Sequence, residues 1–437
     1  MANKKAKKKT AVKASKRPAK KKKSQSASGS RKAKPSSKAK AKKSKAKPKT
    51  ASKRKATLSP KSISATKSAA KKKTTGSIAK VANKPSKAKV STKGSSARPA
   101  APAAPKRTPN AKVLPRAFLQ QLAEAIKNAV VPLIAAAKGR DVIGTATSGD
   151  ATFELDRVAE KALLTFLKNA KAPVAYYSED SGYTTFTSGQ PTNLLVVDPI
   201  DGTRAAKSGF EGCVVSLCST RVIERPTIAD LDNGYVLELL GNRSFYGERG
   251  KGARVYVDGH IRKVKPSQDK GLESVAWAMT VPARPASLIF QTAAKLIDLT
   301  SLKGGFFSSN SSSYSLTRLL TGQLDASIDF ANRFYRDIPK LVEDHFINAG
   351  RGTVVGMCPY DFAAALLIAK EAGCTVTDAY GNSFDDVLLL DSDASNHQSI
   401  IAAANPKLHA SLLKFFDASI VQCEKLLKRS AAAAAKG

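Results

Sequence analysis

Apolar residues recur along most of this chain with helical or strand periods, but its first quarter shows no period at all. Order is predicted from Val113 onward. Phe118, Leu119, Leu122, Ile126, Val130 and Leu133 lie at helical spacing, with Pro132 kinking the later part and Gly139 ending it. A second helix is predicted over about 155–169, burying Leu155, Val158, Leu163, Phe166 and Leu167. Short apolar runs then predict strands at 175–177, 194–197 and 214–218. Gly247, Gly250, Gly252 and Gly259 punctuate a region of strands and turns between 234 and 265. Beyond Leu272 helices and strands mix: a helix over 363–372 stopped by Gly373, a strand over 374–377, a turn over 378–382 and an amphipathic helix over 408–427. This mixture predicts an α/β or α+β fold and leaves the topology open.

Charge divides the molecule. Of the 437 residues, 1–112 hold 39 Lys and Arg and no Asp or Glu, while the remaining 35 basic residues face all 34 acidic ones. The first 112 residues also lack aromatics, so self-repulsion and the want of anything to bury predict a disordered Lys/Ala/Ser/Pro-rich tail. The rest is nearly neutral and long enough for a sizeable core. The five cysteines form no CxxC pair and no metal-like cluster with the four histidines, which predicts buried, reduced thiols. No apolar run is long enough to span a membrane, and the N-terminus lacks the apolar stretch of a secretory signal. These features predict a soluble intracellular protein, cytoplasmic with nucleoid association or nuclear.

Candidate chemistry gathers in Asp198-Pro199-Ile200-Asp201-Gly202-Thr203, directly behind the apolar run Leu194-Leu195-Val196-Val197. Pro199 stiffens a turn between two carboxylates three positions apart. Such carboxylates resist being charged together unless a cation joins them, and hard divalent cations such as magnesium take oxygen ligands of this kind. A helix start at Gly202 and Thr203 offers backbone N–H groups to a phosphate. The alternative is a solvated Asp-Gly turn after a buried strand.

The hexapeptide resembles the signature of the inositol monophosphatase superfamily, and four further blocks follow the family's order. They are Gly149-Asp150-Ala151-Thr152 with Leu155-Asp156-Arg157-Val158-Ala159-Glu160, then Ser178-Glu179-Asp180-Ser181-Gly182, then Tyr246-Gly247-Glu248-Arg249-Gly250-Lys251-Gly252-Ala253, and last Pro359-Tyr360-Asp361-Phe362-Ala363-Ala364-Ala365. The resemblance runs from about Val113 to Phe416 and is nearest to archaeal-type inositol monophosphatase/fructose-1,6-bisphosphatase. It implies a magnesium-dependent phosphomonoesterase acting on a sugar or polyol phosphate. It also implies two stacked subdomains in an αβαβα layered fold, with the site between them: 113–268 carrying the metal site and 269–437 completing it. Glu179, Asp198, Asp201 and Asp361 are implied as metal ligands, with the carbonyl of Ile200. Thr203 and Glu179 are implied to orient and deprotonate the attacking water, with Asp156 in the outer shell. Gly202 and Thr203, beside Asp201, are implied to hold the phosphate. A homodimer is common in the family.

Departures fall on the substrate side. Family members often carry Arg-x-x-Gly-Ser-x-Ala, where this chain has Phe307-Ser308-Ser309-Asn310-Ser311-Ser312-Ser313, and Ser311 and Ser312 are expected to contact a polyol or sugar. The spacer from Asp325 to Asp361 is long, and 352–358 carries no acid where the family places one for inositol hydroxyls.

The basic tail fits phosphate-backbone binding without base reading, so nucleic acid is the expected partner of residues 1–112 and an anionic membrane surface the alternative. Ser59-Pro60-Lys61 is a candidate phosphorylation site. Two competing functions remain open: a nucleic-acid-associated architectural protein with a degenerate phosphatase domain, and a 3′-phosphonucleotide phosphatase.

Overall fold

The computed structural model describes residues 107–146, 151–185 and 189–434. Helix α1 (Arg116–Ala135) buries the stripe Leu119, Leu122, Ile126 and Val130, and Pro132 lies inside it. An antiparallel hairpin, β1 (Val142–Thr145) with β2 (Ala151–Phe153), leads into α2 (Glu154–Ala170). The two helices pack on each other and on a large sheet.

That sheet contains β3 (Val174–Ser178), β4 (Gly182–Thr185), β5 (Asn193–Asp201), β6 (Val214–Thr220), β7 (Asn233–Glu238), β8 (Arg243–Glu248), β9 (Ala253–Val257) and β10 (His260–Arg262). Its order is β10-β9-β8-β7-β6-β5-β3-β4, and the single turn of helix α3 (Thr203–Ala206) follows β5. The chain continues through β11 (Ala276–Thr280), α4 (Ala286–Thr300), β12 (Gly305–Ser309), α5 (Ser312–Thr321), β13 (Ala326–Asp329), α6 (Ala331–Asp337), α7 (Pro339–Ala349), α8 (Pro359–Glu371), β14 (Thr375–Thr377), β15 (Ile400–Ala403) and α9 (Pro406–Ala434). A second sheet forms in the order β12-β11-β13-β15-β14.

Layering follows from which residues are apolar all round. Every residue of β5 is buried, as its unbroken apolar run requires of a strand covered on both faces. Helix α8 is buried from Phe362 to Ala369 and so belongs between sheets rather than on a surface. Its alanines let it approach closely, and glycines on the sheet complete the fit. A Cβ on Gly234 of β7 would fall 2.8 Å from the Ala364 carbonyl oxygen, and one on Gly247 of β8 would fall 3.0 Å from Ile368 Cα. Helix α5 packs beside α8, while α4 and α9 pack together and against the second sheet. The result is a layer sequence of helices, sheet, helices, sheet and helices, with a hydrophobic core in three parts. The expected αβαβα arrangement is what the chain adopts.

Some expectations shift. Residues ahead of Val113 already pack on the fold: the Arg107 guanidinium pairs with Asp232 at 2.5 Å, and Thr108 N–H donates to the Arg221 carbonyl at 2.8 Å. Helix α8 starts at Pro359 rather than near 363, because proline suits the first helical position and the Asp361 carboxylate accepts the Cys358 N–H at 2.6 Å. The long spacer before Asp361 is filled by α6 and α7. All five cysteines are buried and unpaired. Among the described residues no helix is long and apolar enough to cross a membrane. The expected disorder and partner of residues 1–106 of the basic tail, the Ser59 site, and Gly149 and Asp150 lie outside the described residues.

Candidate active site

The last residues of β5 create the site through a break in register. Asp198 pairs with Ser216 and Asp201 with Val214, so three steps on β5 match two on β6. Side chains three apart on a regular strand point to opposite faces. The extra residue of a bulge restores them to one face, and Pro199 is tolerated there because it owes the ladder no N–H. Asp198 Oδ1 accepts the Ile200 N–H at 3.0 Å, which fixes the turn. Gly202 then takes φ +94°, a left-handed conformation in which a Cβ would meet the Gly212 carbonyl oxygen at 2.6 Å.

Two further segments converge on the bulge. Parallel pairing of Ser178 with Val197 carries Glu179, one residue beyond β3, alongside the strand end that bears Asp198. Helix α8 brings Asp361 in its first turn. One carboxylate oxygen from each of Asp198, Asp201 and Asp361 lies within 4.8 Å of the others. Glu179 lines the same cleft, together with Asp156, Ile200, Gly202, Thr203 and Ser312. The structure therefore gathers nearly all the expected site residues around one space.

Ser311 is the exception. Its hydroxyl donates to Asp201 Oδ2 at 2.7 Å and accepts the Tyr314 N–H at 2.9 Å as N-cap of α5, and the residue is 1% exposed. Its hydroxyl is spent on Asp201 and a helix end, and it does not line the cleft where it was expected to meet a substrate. Asp156 also caps its own helix: its Oδ2 accepts the Phe153 N–H at 2.7 Å. The Thr203 hydroxyl donates to the Ile200 carbonyl at 3.0 Å. Helix α3 beyond it is a single turn, so the N–H groups expected to meet a phosphate are those of a short turn rather than of a long dipole.

Burial sets the electrostatics. Asp198 is pushed well above the usual carboxylate range, first by desolvation and then by the charges of Asp201, Glu179 and Asp361. Asp201 rises to about 7, again first by desolvation, against which the donors from Ser311 and Ser313 pull it down. A divalent cation would relieve both costs. The donors on offer are carboxylates and a carbonyl, and no His or Cys lines the cleft among the described residues. That set fits a hard, oxygen-seeking ion.

The cleft lining also holds residues to which the sequence pattern gave no role. Arg284, in the loop after β11, lines the cleft. Its Nη2 and Nε donate to Asp329 Oδ2 at 2.8 and 3.1 Å, and its Nη1 to the Val355 carbonyl at 3.3 Å. An acid thus does lie behind 352–358, supplied by the end of β13 and already matched to arginine. Arg204, Asn310 and Asp180 also line the cleft. Nothing marks Arg284 in Pro282-Ala283-Arg284-Pro285, whereas Asp180 stood inside a quoted block and Asn310 at a departure from the family pattern.

Comparison with known proteins agrees with this geometry. A family model described as "Inositol monophosphatase family" matches residues 115–420. The chain is 25% identical over 305 residues to a "Bifunctional NADP phosphatase/NAD kinase" of Methanococcus maripaludis, covering 68% of this chain but only 48% of that protein. It is 27% identical over 293 residues to a "Fructose-1,6-bisphosphatase/inositol-1-monophosphatase" of Thermococcus kodakarensis, covering 67% of this chain and 93% of that one. The solved structure of an IMPase from Thermotoga maritima shares the fold, with a TM-score of 0.52 at 18% identity over 70% of this chain and 98% of the other. From residue 115 to 420 the chain belongs to the inositol monophosphatase family, a family of metal-dependent phosphatases.

Proposed function

We propose that the chain hydrolyses a phosphate monoester of a sugar or polyol with magnesium as its ion. The observation that carries this reading is the gathering of Asp198, Asp201 and Asp361 within 4.8 Å at one end of a cleft that Glu179 also lines. Glu179, Asp198, Asp201, Asp361 and the Ile200 carbonyl would hold the ion. When bound, it supplies charge neutralisation at the phosphoryl oxygens and a more acidic water. Backbone N–H groups of Gly202 and Thr203 hold the phosphate. Thr203 and Glu179 orient a water, Glu179 takes its proton, and the water oxygen bonds to phosphorus as the ester P–O bond breaks; the leaving alkoxide takes a proton from solvent, to which Glu179 returns its own. Asp156 steadies this arrangement from the outer shell. Residues 113–268 and 269–437 act as two subdomains about the cleft.

The Thermococcus relative's name points to fructose bisphosphate and inositol phosphate, and the Methanococcus relative's name to a phosphorylated dinucleotide. The test is phosphate release from a panel of sugar, inositol and nucleotide phosphates, with and without Mg²⁺. Release from sugar or polyol phosphates that stops with EDTA is expected. Release from none, or release indifferent to EDTA, defeats the reading, and release from 3′-phosphonucleotides alone moves the substrate class.

The tail extends the proposal. With 39 basic and no acidic residues over 1–112, it would hold nucleic acid through backbone phosphates and place the enzyme at a nucleoid or in a nucleus. DNA affinity should fall steeply with added salt, and equal binding by the full chain and by a chain starting at Val113 would end this part of the proposal. A homodimer is the expected assembly, which sedimentation of the full chain reads directly.

A further inference from the structure

The three serines that open α5 touch more of the metal cluster than a helix cap requires. Ser311, Ser312 and Ser313 are 1%, 7% and 0% exposed. Asp201 Oδ2 accepts the Ser311 hydroxyl at 2.7 Å and the Ser313 N–H at 2.7 Å. The Ser313 hydroxyl, at the same time, donates to the main-chain carbonyl of Asp361 at 2.7 Å. Ser216 Oγ on β6 stands 3.0 Å from Ser313 Oγ. Each hydroxyl has one hydrogen, so with Ser313 donating to Asp361 the Ser216 hydroxyl must be the donor in that pair. One short segment of α5 thereby joins three others: the bulged end of β5, the first turn of α8, and β6.

We propose that Ser311 and Ser313 are positioning residues for the metal site, holding Asp201 and Asp361 at the separation a divalent cation requires. The proposal rests on the metal reading above. Its physical basis is that like-charged carboxylates at close quarters push apart, and charge-assisted hydrogen bonds from a packed helix end hold them against that push. Against the family pattern Arg-x-x-Gly-Ser-x-Ala, Ser313 occupies the alanine position, so the link through its hydroxyl to Asp361 and Ser216 is a departure from that pattern.

A purely structural role predicts a different result, which makes the two separable. The full chain and its variants are titrated with Mn²⁺ at one pH, reading the dissociation constant by electron paramagnetic resonance. The thermal midpoint in EDTA is recorded in parallel. Ser313→Ala keeps the N–H to Asp201 and loses only the hydroxyl link, so Mn²⁺ affinity should fall by about tenfold. Ser311→Ala removes a charge-assisted bond and should cost between about tenfold and a hundredfold, while Ser311→Thr, which keeps the hydroxyl, should restore most of it. Ser216→Ala added to Ser313→Ala should cost little more than Ser313→Ala alone, because both break the same link. If both alanine variants bind Mn²⁺ like the unaltered chain and only the thermal midpoint drops, the serines are structural and the proposal fails. Should Ser311→Ala not fold, Ser313→Ala alone decides. Asp198→Asn separates this failure from that of the metal reading: it must abolish tight binding that the unaltered chain shows. An unaltered chain that binds no Mn²⁺ overturns both.

Discussion

One part of the cleft lining crowds like charges and another cancels unlike ones. Asp198 and Asp201, both buried, and the half-buried Asp361 bring carboxylate oxygens within 4.8 Å of each other. In the same cleft lining Arg284 is matched to Asp329 at 2.8 Å, with both side chains buried. The first arrangement is costly until a cation arrives, and the second satisfies itself. The difference teaches where to look for function and where for stability. Substitutions among the acids should cost activity and relieve the cation-free fold, and substitutions at the pair should do the reverse.

The largest effect is expected at the acids. Asp198→Asn should lower Mg²⁺-dependent phosphate release more than about a hundredfold, since even outer-shell changes at metal sites cost ten- to a hundredfold. The same change should raise the thermal midpoint in EDTA, because it removes one charge from a repelling group whose burial already penalises it. A variant that loses activity together with a large part of its stability would blur the contrast between the walls.

Next in size is the pair. Arg284→Met leaves Asp329 buried with its cation gone and should cost about 3–5 kcal/mol in urea unfolding, as expected for one partner removed from a buried ion pair. Arg284→Met with Asp329→Leu should recover most of that loss. Failure of the double change to recover would mean that Arg284 stabilises chiefly through the Val355 carbonyl and the cleft wall.

The smallest effect is a pH slope behind the same wall. A Cβ on Gly356 would fall 2.1 Å from Cγ of His397, so the wall's backbone lies directly on this ring. Burial, with the positive charges of Arg284 and Arg336, lowers the ring from 6.5 to about 4, and Asp393 opposes this in part. Between those values the unfolded chain binds more protons than the folded one. The stabilisation is therefore full above pH 6.5 and is lost as pH falls toward about 4. Thermal midpoints measured across this window should fall with acid, and His397→Phe should flatten that part of the profile. An unchanged slope would assign it to other groups.

How much of this was legible in the chain depends on distance along it. Asp198 and Asp201 share a hexapeptide, so their chemistry showed locally, and the ordered blocks added Glu179 and Asp361 through the family resemblance. The bulge that turns Asp198 and Asp201 to one face was not legible, because it depends on the pairing of β5 with β6. Asp201 receives the Ser311 hydroxyl from 110 residues away, and no local pattern distinguishes that serine from one facing a substrate. Arg284 and Asp329, 45 residues apart, carry no motif at all. The layers were legible only in part. The apolar run of β5 and the alanine-rich α8 announce burial on all sides, but only the contacts of α8 with Gly234 and Gly247 of the first sheet and with β14 of the second show that it lies between the sheets.

The central claim is that the acid wall exists to hold a divalent cation. Crystals soaked in Mn²⁺ and measured at the manganese absorption edge test it directly. The account predicts anomalous density among the carboxylates of Asp198, Asp201 and Asp361, within coordinating distance of Glu179 or the Ile200 carbonyl. Density absent there, or found only at other acids, would contradict it.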